Sequence, residues 1–268
     1  MSNPENVLDR IVATKRIEIE QARAARPLAE LRRELPDAPP VRDFFAALAG
    51  EGQIKLIAEV KKASPSAGVI CENFDPLQIA ACYEEHGAHC ISVLTDQKYF
   101  QGELGFLAAI RQQVQIPLLR KDFILDEYQL VEARVAGADA VLLIAECLDD
   151  KQLATLHQGA VELEMTPLVE FYQAENASRV VQAGATLVGV NNRDLRTFHT
   201  DLEHSIRIRE AIPDECLLVA ESGIRGPGDV QRLADAGVDA MLVGEHLVAA
   251  SNIGEAMDTL MAGVRESN

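Results

Sequence analysis

The sequence lacks the features that would mark it for a membrane or for a metal site. No apolar run approaches the roughly 20 residues that a membrane-spanning helix needs. The five cysteines form no C-x-x-C pair, and the six histidines show neither H-x-x-x-H nor H-E-x-x-H spacing. The N-terminus has no basic stretch followed by an apolar one, so we expect no secretory signal. These absences predict a cytoplasmic protein with reduced, buried thiols and no metal.

Basic residues are also scarce. The chain has 25 lysines and arginines against 42 aspartates and glutamates, which gives a formal net charge of −17. Such a charge argues against nucleic acid or an anionic membrane as a partner. A phosphate site would have to be locally positive within an acidic surface. The 268 residues, 48% of them apolar, can form one barrel or two smaller domains.

A repeat organises most of the chain. Gly87, Gly137, Gly184 and Gly237 lie about 50 residues apart, each between an amphipathic stretch and an apolar run. Glycine there supplies a left-handed helix stop. With the runs between them, the predicted strands are Ile54–Ala58, Cys90–Leu94, Ile116–Leu119, Ala140–Ala145, Thr166–Val169, Leu187–Val190, Cys216–Ala220 and Ala240–Val243. Eight strand–helix units of about 25 residues each predict an α/β fold, a (β/α)8 barrel.

Continuous apolar strands are typical of a parallel sheet covered by helices. An open doubly wound sheet is the main alternative, but the chain has no G-x-G-x-x-G turn.

The first helix of the barrel is predicted to begin at Asp75-Pro76, a capping residue followed by proline. The other predicted helices are Glu103–Val114, Asp126–Ala136, Asp149–Leu163, Gln173–Ala183, Leu202–Ile212, Gly228–Ala236 and Asn252–Val264.

Residues 1–50 precede the barrel, which we assign to residues 51–268 of one domain. Helical patterns at Pro4–Arg26, Leu28–Leu35 and Val41–Ala49 predict a helical extension. This extension could close the barrel floor, fold over the barrel mouth, or only pack against the outside.

Polar residues at the ends of predicted strands are the candidates for chemistry, because the active site of such a barrel lies at these ends. Glu59 and Lys61 share one face of the first strand, where each would keep the other ionised. A structural salt bridge explains the pair equally well. Lys121 could serve as a general acid, an anion clamp or a Schiff-base nucleophile, or it could be a solvated lysine paired with Asp122.

The later strands end in residues of the same kind. Glu170 precedes an aromatic residue that would desolvate it and raise its pKa, although an exposed loop carboxylate is the alternative. Asn191 and Arg193 could bind a hydroxyl and an anion, or form only a turn. The last two strands end in Glu221-Ser222-Gly223 and Gly244-Glu245, where backbone N–H groups could bind phosphate or the glycines could serve only turns.

Six segments taken together resemble indole-3-glycerol phosphate synthase, in order and over about residues 50–250. They are Ala58–Ser66, Ser92–Gly102, Leu119–Phe123, Pro167–Glu170, Val190–Leu195 and Glu221–Ile224. The resemblance implies a carboxy-lyase of tryptophan biosynthesis without metal or organic cofactor. Its phosphorylated substrate, 1-(2-carboxyphenylamino)-1-deoxyribulose 5-phosphate, would lose CO2 and water on ring closure to indole-3-glycerol phosphate.

The resemblance also implies roles. Lys121 would be the general acid, Glu170 the general base of the later dehydration, and Lys61 a cation that holds the anionic substrate and shares the acid role. Glu59, Asn191, Glu221 and Ser222 would orient the sugar hydroxyls, the amine and the charged side chains. The phosphate site would be lined by Ser64, Arg193, Gly223 and Gly244. The anthranilate ring would be held by Phe100 and Phe123. Glu245 stands where some relatives have a small hydroxyl residue, so we expect its side chain to turn away and only its N–H to contribute.

Two other functions remain open on the residues alone. A Schiff-base aldolase acting on a phosphosugar could use Lys61 or Lys121, although Glu59 would keep Lys61 protonated. A non-catalytic barrel could bind a sugar phosphate as a scaffold. For the predicted synthase we expect a monomer or weak homo-oligomer.

Overall fold

The chain folds into a closed barrel of eight parallel strands. The computed structural model describes residues 7–50, 52–194 and 196–262. The barrel strands are β1 (Lys55–Val60), β2 (Cys90–Leu94), β3 (Leu118–Lys121), β4 (Ala140–Ile144), β5 (Thr166–Phe171), β6 (Leu187–Asn191), β7 (Leu217–Glu221) and β8 (Ala240–Val243). Each strand pairs with the next, and β8 pairs with β1. The predicted (β/α)8 barrel is confirmed.

Helices precede, connect and follow these strands. They are α1 (Val7–Ala25), α2 (Leu28–Glu34), α3 (Phe44–Leu48), α4 (Pro76–Glu85), α5 (Gln97–Phe100), α6 (Leu104–Gln113), α7 (Glu127–Val135), α8 (Asp150–Glu162), α9 (Ala177–Gln182), α10 (Glu203–Ile208), α11 (Pro227–Asp235), α12 (Glu245–Val248) and α13 (Ile253–Met261). The four repeated glycines all adopt positive φ, as predicted for helix stops. Within the described ranges, no helix combines the length and apolarity that crossing a membrane requires.

Several boundaries differ from the sequence prediction. Two predicted helices each divide into a helix and a short 3₁₀ turn, at Ala174–Asn176 and at Arg209–Ala211. The start of the predicted N-terminal helix, the domain boundary at residue 51 and residues 263–264 of the predicted last helix lie outside the described residues. Ala63–Ser64 and Gly68–Val69 form a small antiparallel hairpin that the hydrophobic pattern does not reveal.

The most informative difference concerns the strand ends. Five strands extend one or two residues beyond their predicted ends, because the apolar pattern marks the buried run and not the polar residues that continue the strand. The polar residues expected after the strands instead lie within them: Glu59, Lys121, Glu170, Asn191 and Glu221. The backbone ladder includes several of them, with Glu170 opposite Gly189 and Asn191 opposite Glu221. A strand residue has a fixed direction relative to the barrel axis, so these side chains are held more firmly than loop residues would be.

The N-terminal extension covers both ends of the barrel. At the floor, Phe44 and Leu48 of α3 join the core cluster that contains Cys90, the first residue of β2. At the mouth, Leu8 and Ile11 of α1 join the same cluster. Of the alternatives left open by the sequence, closure of the floor and coverage of the mouth therefore both occur.

Candidate active site

The carboxyl ends of the barrel strands surround a cavity of about 530 Å³. Residues from every barrel strand or its following loop line it, together with Val7, Leu8 and Ile11 of α1. All fourteen residues singled out from the sequence line this cavity: Glu59, Lys61, Ser64, Phe100, Lys121, Phe123, Glu170, Asn191, Arg193, Glu221, Ser222, Gly223, Gly244 and Glu245. The fold thus brings together groups that are far apart in the chain.

Lys121, the last residue of β3, lies between two carboxyl groups. Its Nζ is 3.1 Å from Oε2 of Glu170 and 3.0 Å from Oε2 of Glu221. Burial alone would lower the pKa of Lys121, but interactions with the carboxyl groups of Glu170 and Glu221 outweigh it and raise the pKa above its ordinary value. Lys121 is therefore a protonated ammonium in the free site. It does not pair with Asp122, so the solvated-lysine alternative does not apply.

Glu59 and Lys61 form a second ion pair in the cavity, with 2.7 Å between Nζ and Oε1. Strand alternation places both on the inner face of β1, as the sequence predicts. Burial alone would raise the pKa of Glu59, but the ammonium groups of Lys61 and Lys121 lower it. Glu59 is consequently a carboxylate, although the residue is only 5% exposed.

Glu221 differs in charge from the other inner carboxyl groups. Burial, followed by repulsion from the carboxylate of Glu170, raises the pKa of Glu221 to about 8. The inner site holds three carboxyl groups and two ammonium groups within a few ångströms. Three carboxylates cannot all be balanced by two cations, and Glu221 holds the additional proton near neutral pH. Among the described residues, its Oε1 atom has no hydrogen-bond partner.

A short chain of hydrogen bonds joins the general-base candidate to the anion-binding candidate. Asn191 donates from Nδ2 to Oε1 of Glu170 over 2.9 Å. Its Oδ1 accepts from the backbone N–H of Arg193, also over 2.9 Å. The amide of Asn191 therefore fixes the orientation of the Glu170 carboxylate and the start of the loop that carries the guanidinium.

Arg193 lies at the rim of the cavity. It donates from Nη1 to Oγ of Ser66 over 3.2 Å and from Nη2 to Oε2 of Glu245 over 3.3 Å. Ser66 in turn lies 3.2 Å from Ser64, measured between the Oγ atoms. The expectation that the Glu245 side chain turns away was wrong, because attraction to Arg193 brings it onto the cavity wall.

Backbone geometry at the last two strands opens space for polar groups. Ser222 has φ of 70° and Gly223 has φ of 83°, so two consecutive residues adopt the left-handed conformation. A non-glycine residue in this region is costly, and such residues concentrate at functional sites. At Gly244, a Cβ atom would overlap the Glu59 carboxylate, so glycine is required there for the carboxylate to fit.

Aromatic and aliphatic side chains form the apolar part of the cavity. The rings of Phe100 and Phe123 lie with their centroids 6.1 Å apart. Leu8 and Ile11 complete this part from α1. Sequence reasoning missed these two residues, since apolar positions on an amphipathic helix indicate packing and not the surface against which they pack. It also missed Ser66, although Ser66 belongs to a segment that the resemblance includes.

No group of three or more histidine, cysteine, aspartate or glutamate side chains in the described ranges is arranged to hold a metal ion. The chemistry available from these residues is proton transfer by a partly buried ammonium and buried carboxyl groups, with cations and serine hydroxyls at the rim for an anion.

Comparison with known proteins identifies a family for this chain. The sequence model of the family described as indole-3-glycerol phosphate synthase matches residues 8–260. The indole-3-glycerol phosphate synthase of Rhodopirellula baltica is 52% identical over 256 residues, covering 96% of this chain and 99% of the relative. That of Leptothrix cholodnii is 49% identical over 260 residues, covering 96% of this chain and 99% of the relative.

Among solved structures, the thiamine phosphate pyrophosphorylase from Pyrococcus furiosus superimposes with a TM-score of 0.61. It is 18% identical in sequence, and the match covers 80% of this chain and 96% of that chain. At this level of identity the likeness concerns the barrel fold alone.

Proposed function

Because this chain belongs to the indole-3-glycerol phosphate synthase family, we propose a catalytic or binding role in that family's reaction for each residue singled out at its barrel mouth. The enzyme is a carboxy-lyase of tryptophan biosynthesis. It converts 1-(2-carboxyphenylamino)-1-deoxyribulose 5-phosphate into indole-3-glycerol phosphate, CO2 and water. Ring closure forms a carbon–carbon bond to the former carbonyl carbon, and that carbonyl oxygen later leaves as water.

Lys121 is the general acid of ring closure. The observation that carries this proposal is its buried ammonium, held 3.1 Å from Glu170 and 3.0 Å from Glu221. As the aromatic carbon attacks the ribulosyl carbonyl, negative charge develops on the carbonyl oxygen, and a buried cation that can donate a proton stabilises it. The Glu170 carboxylate argues against a Schiff-base aldolase, since it favours the charged form of Lys121 and that chemistry requires a neutral amine.

Glu170 is the general base of the dehydration. After CO2 leaves, a proton must be removed from the new ring while the hydroxyl departs as water. Glu170 is suited to accept it, because Asn191 fixes one carboxylate oxygen while Lys121 contacts the other. Glu59, Asn191, Glu221 and Ser222 orient the sugar hydroxyls, the amine and the charged side chains. Lys61 binds the anionic substrate and shares the acid role.

The rim and the apolar wall bind the two ends of the substrate. The phosphate site is formed by Ser64, Arg193, Gly223 and Gly244, together with the backbone N–H of Glu245. The Arg193 guanidinium supplies the positive charge of this site. Phe100 and Phe123 hold the anthranilate ring. Lys61, Lys121 and Arg193 supply positive groups at this cavity in a chain whose net charge is −17.

The extension of residues 1–50 and the barrel of residues 51–268 act as one domain, a proposal supported by the packing of α1 and α3 on the two barrel ends. We further propose a cytoplasmic enzyme, a monomer or weak homo-oligomer without metal, organic cofactor or nucleic acid partner. The acidic net charge supports the last of these.

The absence of tryptophan from the sequence allows a direct test. The substrate is added to the protein in the presence of a chelator, and indole fluorescence is followed above a background of tyrosine. A rising signal supports the synthase and its independence of metal. A flat trace from a folded protein that still binds inorganic phosphate would contradict the reaction and favour a sugar-phosphate-binding barrel.

A further inference from the structure

Helix α1 carries a lysine that is buried among carboxylates of the barrel. Lys15 is 4% exposed. Its Nζ lies 2.9 Å from Oδ2 of Asp96, 2.9 Å from Oδ1 of Asp122 and 2.7 Å from Oε2 of Glu18. Burial alone would lower the pKa of Lys15, but the carboxylates of Asp122 and Asp96 raise it above its ordinary value. Lys15 is thus a fixed cation, outside the cavity lining but close to it.

The two aspartates belong to the loops that carry candidate substrate-binding groups. Asp96 caps α5, since its Oδ1 accepts the N–H of Tyr99 over 2.8 Å, and Phe100 ends that helix. Asp122 lies between Lys121 and Phe123 in the chain, and its Oδ1 accepts the N–H of Phe123 over 2.8 Å.

Asp122 is also held from the barrel side. Its Oδ2 accepts from Oγ1 of Thr95 over 2.7 Å and from Nη2 of Arg120 over 3.2 Å. A single ammonium on α1 therefore contacts both the loop that carries Phe100 and the loop that carries Phe123, and the second loop is also held by Thr95 and Arg120.

The same helix forms part of the cavity wall. Leu8 and Ile11 line the cavity and pack in one cluster with Phe123. They lie on the turns of α1 that precede Lys15. Because a helix is stiff over a few turns, fixing its position at Lys15 also fixes the side chains one and two turns away.

We infer that Lys15 is a positioning residue, which holds α1 on the Asp96 and Asp122 carboxylates so that Leu8 and Ile11 complete the apolar pocket formed with Phe100 and Phe123. This inference rests on the proposed function, because it takes that pocket to receive the anthranilate ring. Lys15 acts on substrate affinity through α1 and the two loops, without touching the substrate.

The test compares Lys15→Met with Lys15→Arg. Three quantities are measured for each: kcat, KM, and the dissociation constant of the unreactive alcohol obtained by reducing the substrate's ketone. Loss of the charge is expected to raise KM and the dissociation constant by about tenfold while kcat changes much less, since a poorly placed wall weakens binding first. Lys15→Arg retains the charge and is expected to restore most of the affinity. Hydrogen exchange of the α1 amides should accelerate in Lys15→Met alone.

Arg23→Met is the matched control. Arg23 also ties α1 to the barrel by an ion pair, 2.5 Å from Oδ1 of Asp126, but it lies at the far end of the helix and does not line the cavity. If α1 needed only some anchor, this variant would weaken binding as much as Lys15→Met. We expect its KM to match that of the unsubstituted protein.

Asp96→Asn keeps the test decisive if Lys15→Met fails to fold. Asparagine retains the oxygen that caps α5 at Tyr99, whereas the charge facing Lys15 is lost. Asp96→Asn should raise KM and the dissociation constant, as Lys15→Met does.

The inference is overturned if the folded Lys15→Met or Asp96→Asn protein keeps normal affinity, if Arg23→Met weakens binding equally, or if kcat alone falls. If the unsubstituted protein binds the alcohol but makes no indole, the proposed function fails, while affinities and exchange rates still decide the role of Lys15.

Discussion

The side chain of Glu221, on β7, reaches over Gly189 of the neighbouring strand β6, and a Cβ atom on Gly189 would come within 2.5 Å of Oε1 of Glu221. The strand β6 therefore has no side chain where the β7 carboxyl group needs room. That room lets Glu221 reach Lys121 while its other oxygen stays without a partner among the described residues. The shape of the inner site depends on a missing side chain as well as on the charged groups.

Replacing Gly189 by alanine is expected to displace the Glu221 carboxyl group and to lower kcat by about 10- to 100-fold, because small misplacements in a site are costly to the rate. The fold should survive, since the overlap involves the end of a side chain and φ at Gly189 lies outside the positive range. Steady-state kinetics and thermal unfolding are measured together. Gly228→Ala is the control, because nothing lies within 4 Å of its added Cβ. Unchanged kinetics in Gly189→Ala would show that the position of Glu221 is unimportant.

Lys121→Met removes the proposed general acid. We expect kcat to fall by about 10²- to 10⁴-fold, the usual contribution of a positioned acid. Circular dichroism should show an intact barrel, because methionine fills much of the same volume. Lys151→Met removes an equal charge from an exposed position on α8 and should leave the kinetics unchanged. A Lys121→Met protein with a tenth or more of the normal kcat would contradict the acid role.

Glu170→Gln tests the later step separately. If Glu170 removes a proton during dehydration, the variant should release CO2 in its first turnover faster than indole appears. Rapid mixing with detection of both products measures the two rates. Glu175→Gln, an exposed change in the loop that follows β5, is the control. Equal slowing of both products would instead place Glu170 at ring closure.

Much of the barrel and its mouth could be predicted from the sequence, for a physical reason. Parallel strands bring their carboxyl ends to one edge, so Glu59, Lys121, Glu170 and Asn191 could be expected to meet without knowledge of any contact. The direction in which each side chain points was also predictable where two residues alternate on a strand, as at Glu59 and Lys61.

The position of Lys15 could not be predicted in this way. In a stretch of alternating charges on an amphipathic helix, a lysine indicates a solvated face. Asp96 and Asp122, which follow two neighbouring strands, both contact the Lys15 ammonium and so offset the cost of its burial. The pairing of Arg193 with Glu245 is a similar case, since it joins the ends of two strands that are not neighbours. Such contacts depend on tertiary structure and leave no periodic signal in the chain.

The pKa of Glu221 predicts an alkaline limit to activity. Below about pH 8 this carboxyl group is neutral, and above it the group adds a negative charge to a site that must receive an anionic substrate. The value of kcat/KM should therefore fall as the pH rises through about 8, a profile that reports the free enzyme. Glu221→Gln stays neutral at every pH and should lose this limb, even if its kcat is lower. A limb that persists in the variant would assign it to another group.

The carboxylate of Glu245 is expected to lower the affinity of the site for phosphate below that which Arg193 alone would provide. Its carboxylate lies 3.3 Å from the guanidinium and must be displaced, or face the phosphate, when the substrate binds. Glu245→Ser removes this competition and its negative charge. Since the Glu245 side chain is 43% exposed and solvent screens the pair, the gain should be modest, about three- to fivefold in the affinity for inorganic phosphate.

The pH and salt dependence distinguish this competition from a change in packing. Phosphate becomes a dianion as the pH rises from about 6 to 8, so repulsion by Glu245 should grow and the advantage of Glu245→Ser should increase over that range. Added salt should reduce the advantage. Glu255→Ser makes the same charge change on the exposed face of α13 and should leave phosphate affinity unaltered. If Glu245→Ser binds phosphate no better at pH 8, then displacing the Glu245 side chain costs no binding free energy. Arg193 then binds the anion as well with the ion pair as without it.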